Sequence, residues 1–506
     1  MIDVLIAGAG PNGLMLACEL ALAGVHPVVV ERHPEPTGEA RANGVVGQVV
    51  RLLDRRGLYT RLSGDDGPPS PQPAFVFGAF PLDLTMLADN PHYVLGVPQA
   101  RLEAGLAARA AELGVDVRRG HEVTGLRQDP EGVETDLRDG TVLRSRFLVG
   151  ADGGRSVVRR LAGIGFPGVT NDRSVSRTAN VTVPASALDP ATGGLRVPGY
   201  GVVPPFQHTR TGGGLIVWAP FPGRPALLST TEWPDTPVAE DTPMSLAELH
   251  DSVVRVVGAG IPFGPPESPG LLRRLTGGNT RIATRYRDGR VLLVGDAAHV
   301  HPAIGGPGLN LGLQDAANLG WKLAATVRGW APPGLLDTYE AERRPVAERV
   351  VMSTRAQSAL IGPGEDVTGL RGLFAELLRK PEVTGHIAAM MSGADVHYPA
   401  DPADPLAGRC APDVVVHSPG GGAVRLAELT RTGRPLLLDS TGDYAGVLAP
   451  WRDRVDVVTG ALAGTTATAL LVRPDCFVAW SAGDEDTLRA SLTQHFGAPM
   501  PTSSVA

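Results

Sequence analysis

Gly8, Gly10 and Gly13 stand as Gly-x-Gly-x-x-Gly between an apolar run, Val4 to Ala7, and a helically spaced set, Leu14, Leu16, Ala17, Leu20 and Ala21. That context gives the spacing its chemistry. The first glycine allows a tight turn, the second lets backbone approach a pyrophosphate, and the third lets helix and strand pack closely. The phosphates would then sit at the positive end of a helix. Pro11 and Asn12 complete the turn, and Gly24 is a helix stop. Val28 to Val30 supplies the next buried strand, and Glu31 ends it, where a carboxylate can accept hydrogen bonds from a ribose diol. The alternative for Glu31 is a solvated charge at a strand end.

Far downstream, Val291 to Val294 reads as another buried strand, running into Gly295-Asp296-Ala297-Ala298-His299. Asp296 is thereby presented at a strand's carboxyl end, where it suits a ribityl hydroxyl. Gly305 to Asn310 then opens a long helix carrying Leu313, Ala316, Ala317, Leu319, Leu323 and Val327. Its N-terminal dipole, aimed at the pyrimidine edge of a flavin, would stabilise the charge of the reduced ring; otherwise the turn only packs a helix. Two sites so distant in sequence suit one extended dinucleotide, FAD. A third run, Leu148 to Ser156, holds Gly150-Ala151-Asp152-Gly153; alone, it reads equally as a turn or a ligand site. Gly258-Ala259-Gly260 after the apolar run Val253 to Val257 is a decoy, because Pro262, Pro265 and Pro266 forbid the helix that would have to follow. Without a second Rossmann unit, NADPH or NADH is expected to dock elsewhere and transiently.

The elements positioning these groups follow from periodicity. Helices are expected near 48–53 and over 99–113, with Leu102, Leu106, Ala110 and Leu113 on one face; strands flank the latter at 115–118 and 133–137. From about 170 to 285 glycine and proline punctuate short strands such as Leu215 to Trp218 and Leu227 to Thr231. At 506 residues two or three domains are expected. The expected division is a discontinuous FAD-binding domain over 1–170 and 285–392 with a helical extension, a substrate-binding sheet domain over 171–284, a proline-rich linker over 393–412, and a small α/β domain over 413–506. The last carries strands at 436–438, 455–458 and 469–472 and a terminal helix at 485–496.

A net charge of -7 without basic runs argues against nucleic acid. No apolar run approaches the roughly 20 residues that span a bilayer, and the first residues enter a strand without a secretory signal; a cytoplasmic protein without membrane contact is expected. Cys18, Cys410 and Cys476 are too few and scattered for a disulfide framework or a four-ligand zinc site, so no metal is expected. Cys18 is expected to be packed.

The motifs, in this order and spacing, resemble the class A flavoprotein monooxygenases of the para-hydroxybenzoate hydroxylase fold, and among them the actinomycete hydroxylases of angucycline- and tetracycline-type aromatic polyketides and the rifampicin monooxygenases. The likeness extends over essentially the full length, through Val97-Pro98-Gln99, Arg118 to Val123, Tyr339 to Pro345, Leu471 to Asp475 and Val478 to Trp480. It implies an α/β fold: a Rossmann-like FAD-binding domain, an inserted mixed β-sheet substrate domain and a C-terminal thioredoxin-like α/β domain, here without C-x-x-C and hence without dithiol chemistry.

By the same resemblance Glu31 binds the adenosine ribose with Arg32 nearby, Arg41 and Gln99 contact the pyrophosphate and ribityl regions, and Val123 offers its backbone to adenine. Asp152 lies near the cofactor in a motif also linked to NAD(P)H use. Asp296 holds the ribityl chain, and Gly308, Leu309 and Asn310 lie against the isoalloxazine. No side chain is assigned as catalytic; a flavin C4a-hydroperoxide, formed from O2 after reduction by NAD(P)H, is implied to oxygenate an aromatic polyketide-like substrate of antibiotic biosynthesis. A monomer or homodimer is expected.

Three positions depart from the family pattern: Ala303 where proline is common, Pro307 where glutamine is, and Cys476 where glycine is. His299 and His301 are read as structuring their loop; Trp218, Phe206 and Phe221 are pocket wall or core. The alternatives are an antibiotic-inactivating monooxygenase and a flavin enzyme catalysing a non-hydroxylating oxidation or rearrangement. A flavin halogenase would need a W-x-W-x-I-P signature that the sequence lacks.

Overall fold

Val4, Leu5 and Ile6 are fully buried, the burial that a central parallel strand, covered on both faces, imposes. The computed structural model describes residues 1–37, 42–236, 242–267, 270–302, 304–418, 420–481 and 483–500. Within them an eight-stranded sheet has the central order Arg287–Asp288, Val291–Leu293, Val142–Gly150, Ile2–Ala7, Val28–Glu31, Asp116–Arg119. Apart from the antiparallel edge strand Arg287–Asp288, these neighbours are parallel, and Ala7 lies level with Gly150 and Val30, and Gly150 with Leu293. The Gly8, Glu31, Asp152 and Asp296 motifs therefore leave the same carboxyl edge of one sheet, where open α/β folds bind ligands. The helix Pro11–Leu22 starts on a proline that loses nothing by lacking an N–H there. It packs against Gln99–Glu112 and the long helix Pro307–Arg328.

A second, six-stranded sheet has the order His208–Arg210, Leu215–Ala219, Ala226–Glu232, Gly168–Val181, Leu272–Ile282, His299–Val300, and its pairings are antiparallel. Its last strand directly follows the Asp296 turn, so the two sheets meet where that aspartate stands. The helix Leu246–Val257 covers this sheet. The apolar run Val253 to Val257 is thus the end of a helix, stopped by Gly258 with φ +80°, and no strand precedes the decoy glycines. Trp218 is core: its ring is buried and its indole N–H donates to the Gly193 carbonyl at 3.0 Å.

Near the C-terminus a four-stranded sheet, Asp456–Thr459, Leu436–Asp439, Ala469–Val472, Val478–Trp480, packs with the helix Glu485–Phe496. It is fastened to the rest by buried charges. Arg55 and Arg56, from the helix Gln48–Arg55 and its cap, donate to the carbonyls of Ala411, Pro474 and Thr430 at 2.6, 2.5 and 3.0 Å. Arg473 spans Glu342 and Asp475, and Lys322 donates to Glu342 at 2.7 Å. Burial drives the Lys322 ammonium down to about 8 although Glu342 opposes the shift. The loop 393–412 is packed: Tyr398 is buried, stacked on Phe477 at 4.1 Å, and accepts from Arg343 at 3.0 Å. Cys476 takes φ +66°, a conformation that favours glycine, which is the physical reason a glycine suits that position. Its thiol is buried beside Arg56, and burial raises it.

Candidate flavin site

The carboxyl edge of the first sheet opens into a cleft of about 780 Å³. Gly8, Gly10, Pro11 and Asn12 line it together with Glu31, Arg32, Gln99, Val123, Asp152, Asp296, Gly308 and Leu309. Residues more than 250 positions apart in the chain thus share one surface.

The glycine loop fits a bound pyrophosphate. A Cβ on Gly8 would stand 2.5 Å from the Ala151 carbonyl oxygen and one on Gly13 2.0 Å from the Gly8 carbonyl oxygen, so those two positions close the turn. A Cβ on Gly10 would meet none of the described residues within 4 Å: the space above it is a cradle open to a ligand. Gly13 accordingly lies behind the cleft wall rather than in it.

Glu31 is already engaged with backbone. Its two oxygens accept the N–H groups of Ala9 and His33, each at 2.9 Å. This fastens the strand end to the glycine loop and leaves each oxygen lone-pair capacity for a ribose hydroxyl. Asp152 accepts from Val157 and Val158 N–H at 2.6 and 3.1 Å through one oxygen, while its other oxygen is buried without a partner among the described residues. That orphaned oxygen at the cleft wall fits a hydroxyl-bearing ligand.

Asn12 joins the two distant motifs. Its amide is so tightly lodged that a Cβ on Gly295, whose φ is +62°, or on Gly312 would stand 2.0 or 2.4 Å from its nitrogen. Behind the turn, Asp315 accepts from His299 Nε2 at 2.6 Å, from Arg343 Nε at 2.8 Å and from Gly295 N–H at 3.3 Å. Burial alone would raise the Asp315 carboxyl, but His299 and Arg343 outweigh it and hold it below the ordinary carboxylate range. His299 is therefore a buried strut for its loop. His301 lines the cleft, and burial pushes its imidazole down to about 4, so it is neutral at neutral pH.

Asn310 does not line this cleft. It is buried, accepting from Val46 N–H at 2.8 Å and donating to the Gly306 carbonyl at 2.7 Å, and so holds the loop that carries Gly308 and Leu309 in place. Pro307 begins the long helix as its first residue. Arg41 and Ala303 lie outside the described residues. Sequence reasoning missed Phe75, Arg119, His121, Arg155 and His208, which also line the cleft. Arg119 and His121 belong to the run Arg118 to Val123 and Arg155 to the run Leu148 to Ser156, whereas His208 carries no local signal. Phe221 is wall, with Phe206 edge-on to it at 5.4 Å. Among the described residues no cluster of three metal-ligating side chains occurs, and no helix is long and apolar enough to cross a membrane.

An FAD-binding-domain family model matches residues 1–354, and an aromatic-ring hydroxylase C-terminal model matches 404–499. A 12-dehydrotetracycline 5-monooxygenase/anhydrotetracycline 6-monooxygenase of Streptomyces rimosus is 42% identical over 98% of this chain and 99% of its own. A rifampicin monooxygenase of Rhodococcus hoagii is 39% identical over 98% of each chain. The solved structure of an anhydrotetracycline hydroxylase from Streptomyces rimosus superposes with a TM-score of 0.85 at 39% identity, over 98% of this chain and 99% of that one. The chain belongs to the FAD-binding-domain family of flavin-dependent monooxygenases.

Proposed function

We propose that this monooxygenase hydroxylates an aromatic polyketide in antibiotic biosynthesis, in the cytoplasm, with NADPH or NADH as electron donor and O2 as oxidant. The observation that carries the reading is the single cleft in which the glycine loop, Asp296 and the Gly308 turn share a surface with aromatic side chains; the polyketide relatives give the substrate class. Bound FAD supplies the redox and oxygen chemistry. Gly8, Gly10, Pro11 and Asn12 cradle its pyrophosphate, with Gly13 packing the turn from behind; Glu31, Arg32 and Val123 receive the adenosine, and Gln99, Asp152 and Asp296 take the middle of the cofactor.

Gly308 and Leu309, on the first turn of the long helix, direct its positive end toward the ring, and Asn310 fixes that turn from the far side. Phe75 and Phe221 line the cleft with apolar rings and help exclude water. The segment 171–284 roofs the substrate half, and 413–506 forms the domain that braces the long helices across the 393–412 connection.

The test is turnover. FAD-loaded protein should oxidise NADPH faster when anhydrotetracycline is present, and mass spectrometry should find one added oxygen in the product. NADPH oxidation unaffected by this or any related polyketide, with the substrate recovered unchanged, would refute the reading.

A further inference from the structure

Of the described residues between 168 and 282, His208 and Phe221 line the cleft. They differ in kind. Phe221 is an apolar ring, with Phe206 edge-on at 5.4 Å and the Arg224 guanidinium 4.5 Å from its centroid. His208 is polar and partly buried, and its Nδ1 is enclosed with no hydrogen-bond partner among the described residues.

An enclosed ring nitrogen without a partner loses the hydrogen bond that water would give it and is destabilising. A fold tolerates that where a ligand will supply the missing bond. Burial alone shifts this imidazole, downward, and no carboxylate contributes; it is neutral at neutral pH, with one donor and one acceptor nitrogen. Such a ring is matched to the oxygens of phenols and quinones and ill matched to a carboxylate or phosphate, which would favour a cation.

The position is also held rigidly. His208 pairs with Val217 across the edge of the six-stranded sheet. Two residues on, and hence on the same face, Arg210 donates to the Gly362 carbonyl at 3.0 Å and to the Thr368 hydroxyl at 3.2 Å. The strand is thereby clamped to the helices beyond, so the imidazole stands in a preorganised place.

We propose that His208 is the polar anchor of the substrate, hydrogen-bonding a phenol or quinone oxygen of a polycyclic aromatic while Phe221 packs against the ring system. The inference rests on the aromatic polyketide reading and deepens it: His208 selects among polyketides by where they carry oxygen.

The test uses FAD-loaded wild type, His208→Phe and His208→Gln, each normalised to its own flavin content. Each is titrated with anhydrotetracycline and with rifampicin, following perturbation of the flavin absorbance, and assayed for kcat and KM. His208→Phe is expected to weaken binding of the responding probe about tenfold, raising KM more than it lowers kcat, and His208→Gln, which keeps a donor and an acceptor, to recover part of the loss. Equal binding by wild type and His208→Phe, or equal losses in the two variants, would overturn the anchor alone. A wild type that responds to neither probe would overturn the polyketide reading and the anchor with it.

Discussion

A methyl group at Gly10 meets no atom of the described residues within 4 Å, whereas one at Gly13 would stand 2.0 Å from the Gly8 carbonyl oxygen. The two glycines of one motif thus serve different ends, and alanine should separate them. Gly10→Ala is expected to leave the melting of the flavin-stripped protein nearly unchanged while weakening FAD binding at least tenfold, because the added carbon enters the pyrophosphate's space. Gly13→Ala should cost about 1–3 kcal/mol of stability through overpacking. Thermal melts and FAD fluorescence titrations of both variants check this; a Gly10→Ala protein binding FAD like wild type would argue that the phosphates lie elsewhere. Cys476 is the opposite case, a side chain where the backbone favours none: φ +66° there works against the packing of its thiol.

At the scale of elements, one carboxylate holds three of them. Asp315, on the long helix, ties the Gly295 turn, the His299 strand and Arg343 of the helix Thr338–Ile361. Asp315→Asn keeps the shape but leaves the Arg343 guanidinium uncompensated in the core, a loss of about 3–5 kcal/mol. Urea unfolding should show it, together with weaker flavin retention; a variant as stable as wild type would mean that the cluster is solvated. Because the Asp315 carboxyl is held below its ordinary value, its contribution is complete above about pH 4 and is lost as pH falls through the depressed value.

Elements of this kind differ in how far local sequence announces them. The helices Pro11–Leu22 and Glu485–Phe496 and the strand Ala469–Val472 stand where periodicity puts them, since caps and apolar spacing are local. The run Val253 to Val257 is too short for periodicity to tell a buried strand from the end of a helix, and tertiary packing makes it a helix. Arg55 and Arg56 carry no local signal of their burial, because they donate to the carbonyls of Ala411 and Thr430, 356 and 374 positions away and beyond any local pattern. His208 is silent for the same reason: its meaning comes from the register with Val217 and from the Arg210 clamp.

Over the whole molecule, neutral histidines set the acid limit. Burial drives His92, His301 and His495 down to about 4, in the wall behind Phe75, the cleft loop and the terminal helix respectively. From about pH 6.5 downward an unfolded chain takes up protons that these folded rings refuse, so stability should fall between about pH 6.5 and 4, by up to about 3 kcal/mol for His92. Urea midpoints measured across that range check the slope, and a flat profile would count against buried neutral rings.

The chain has two lysines, and the ionic fastening described above encloses one of them: Lys322 is 0% exposed, while Lys380 lies on the surface. Acylating reagents that attack amines should therefore mark the native molecule at Lys380 and the amino terminus and spare Lys322 until the core opens. Peptide mapping of that second mark would time global unfolding on an unmodified protein, with no dye or engineered probe.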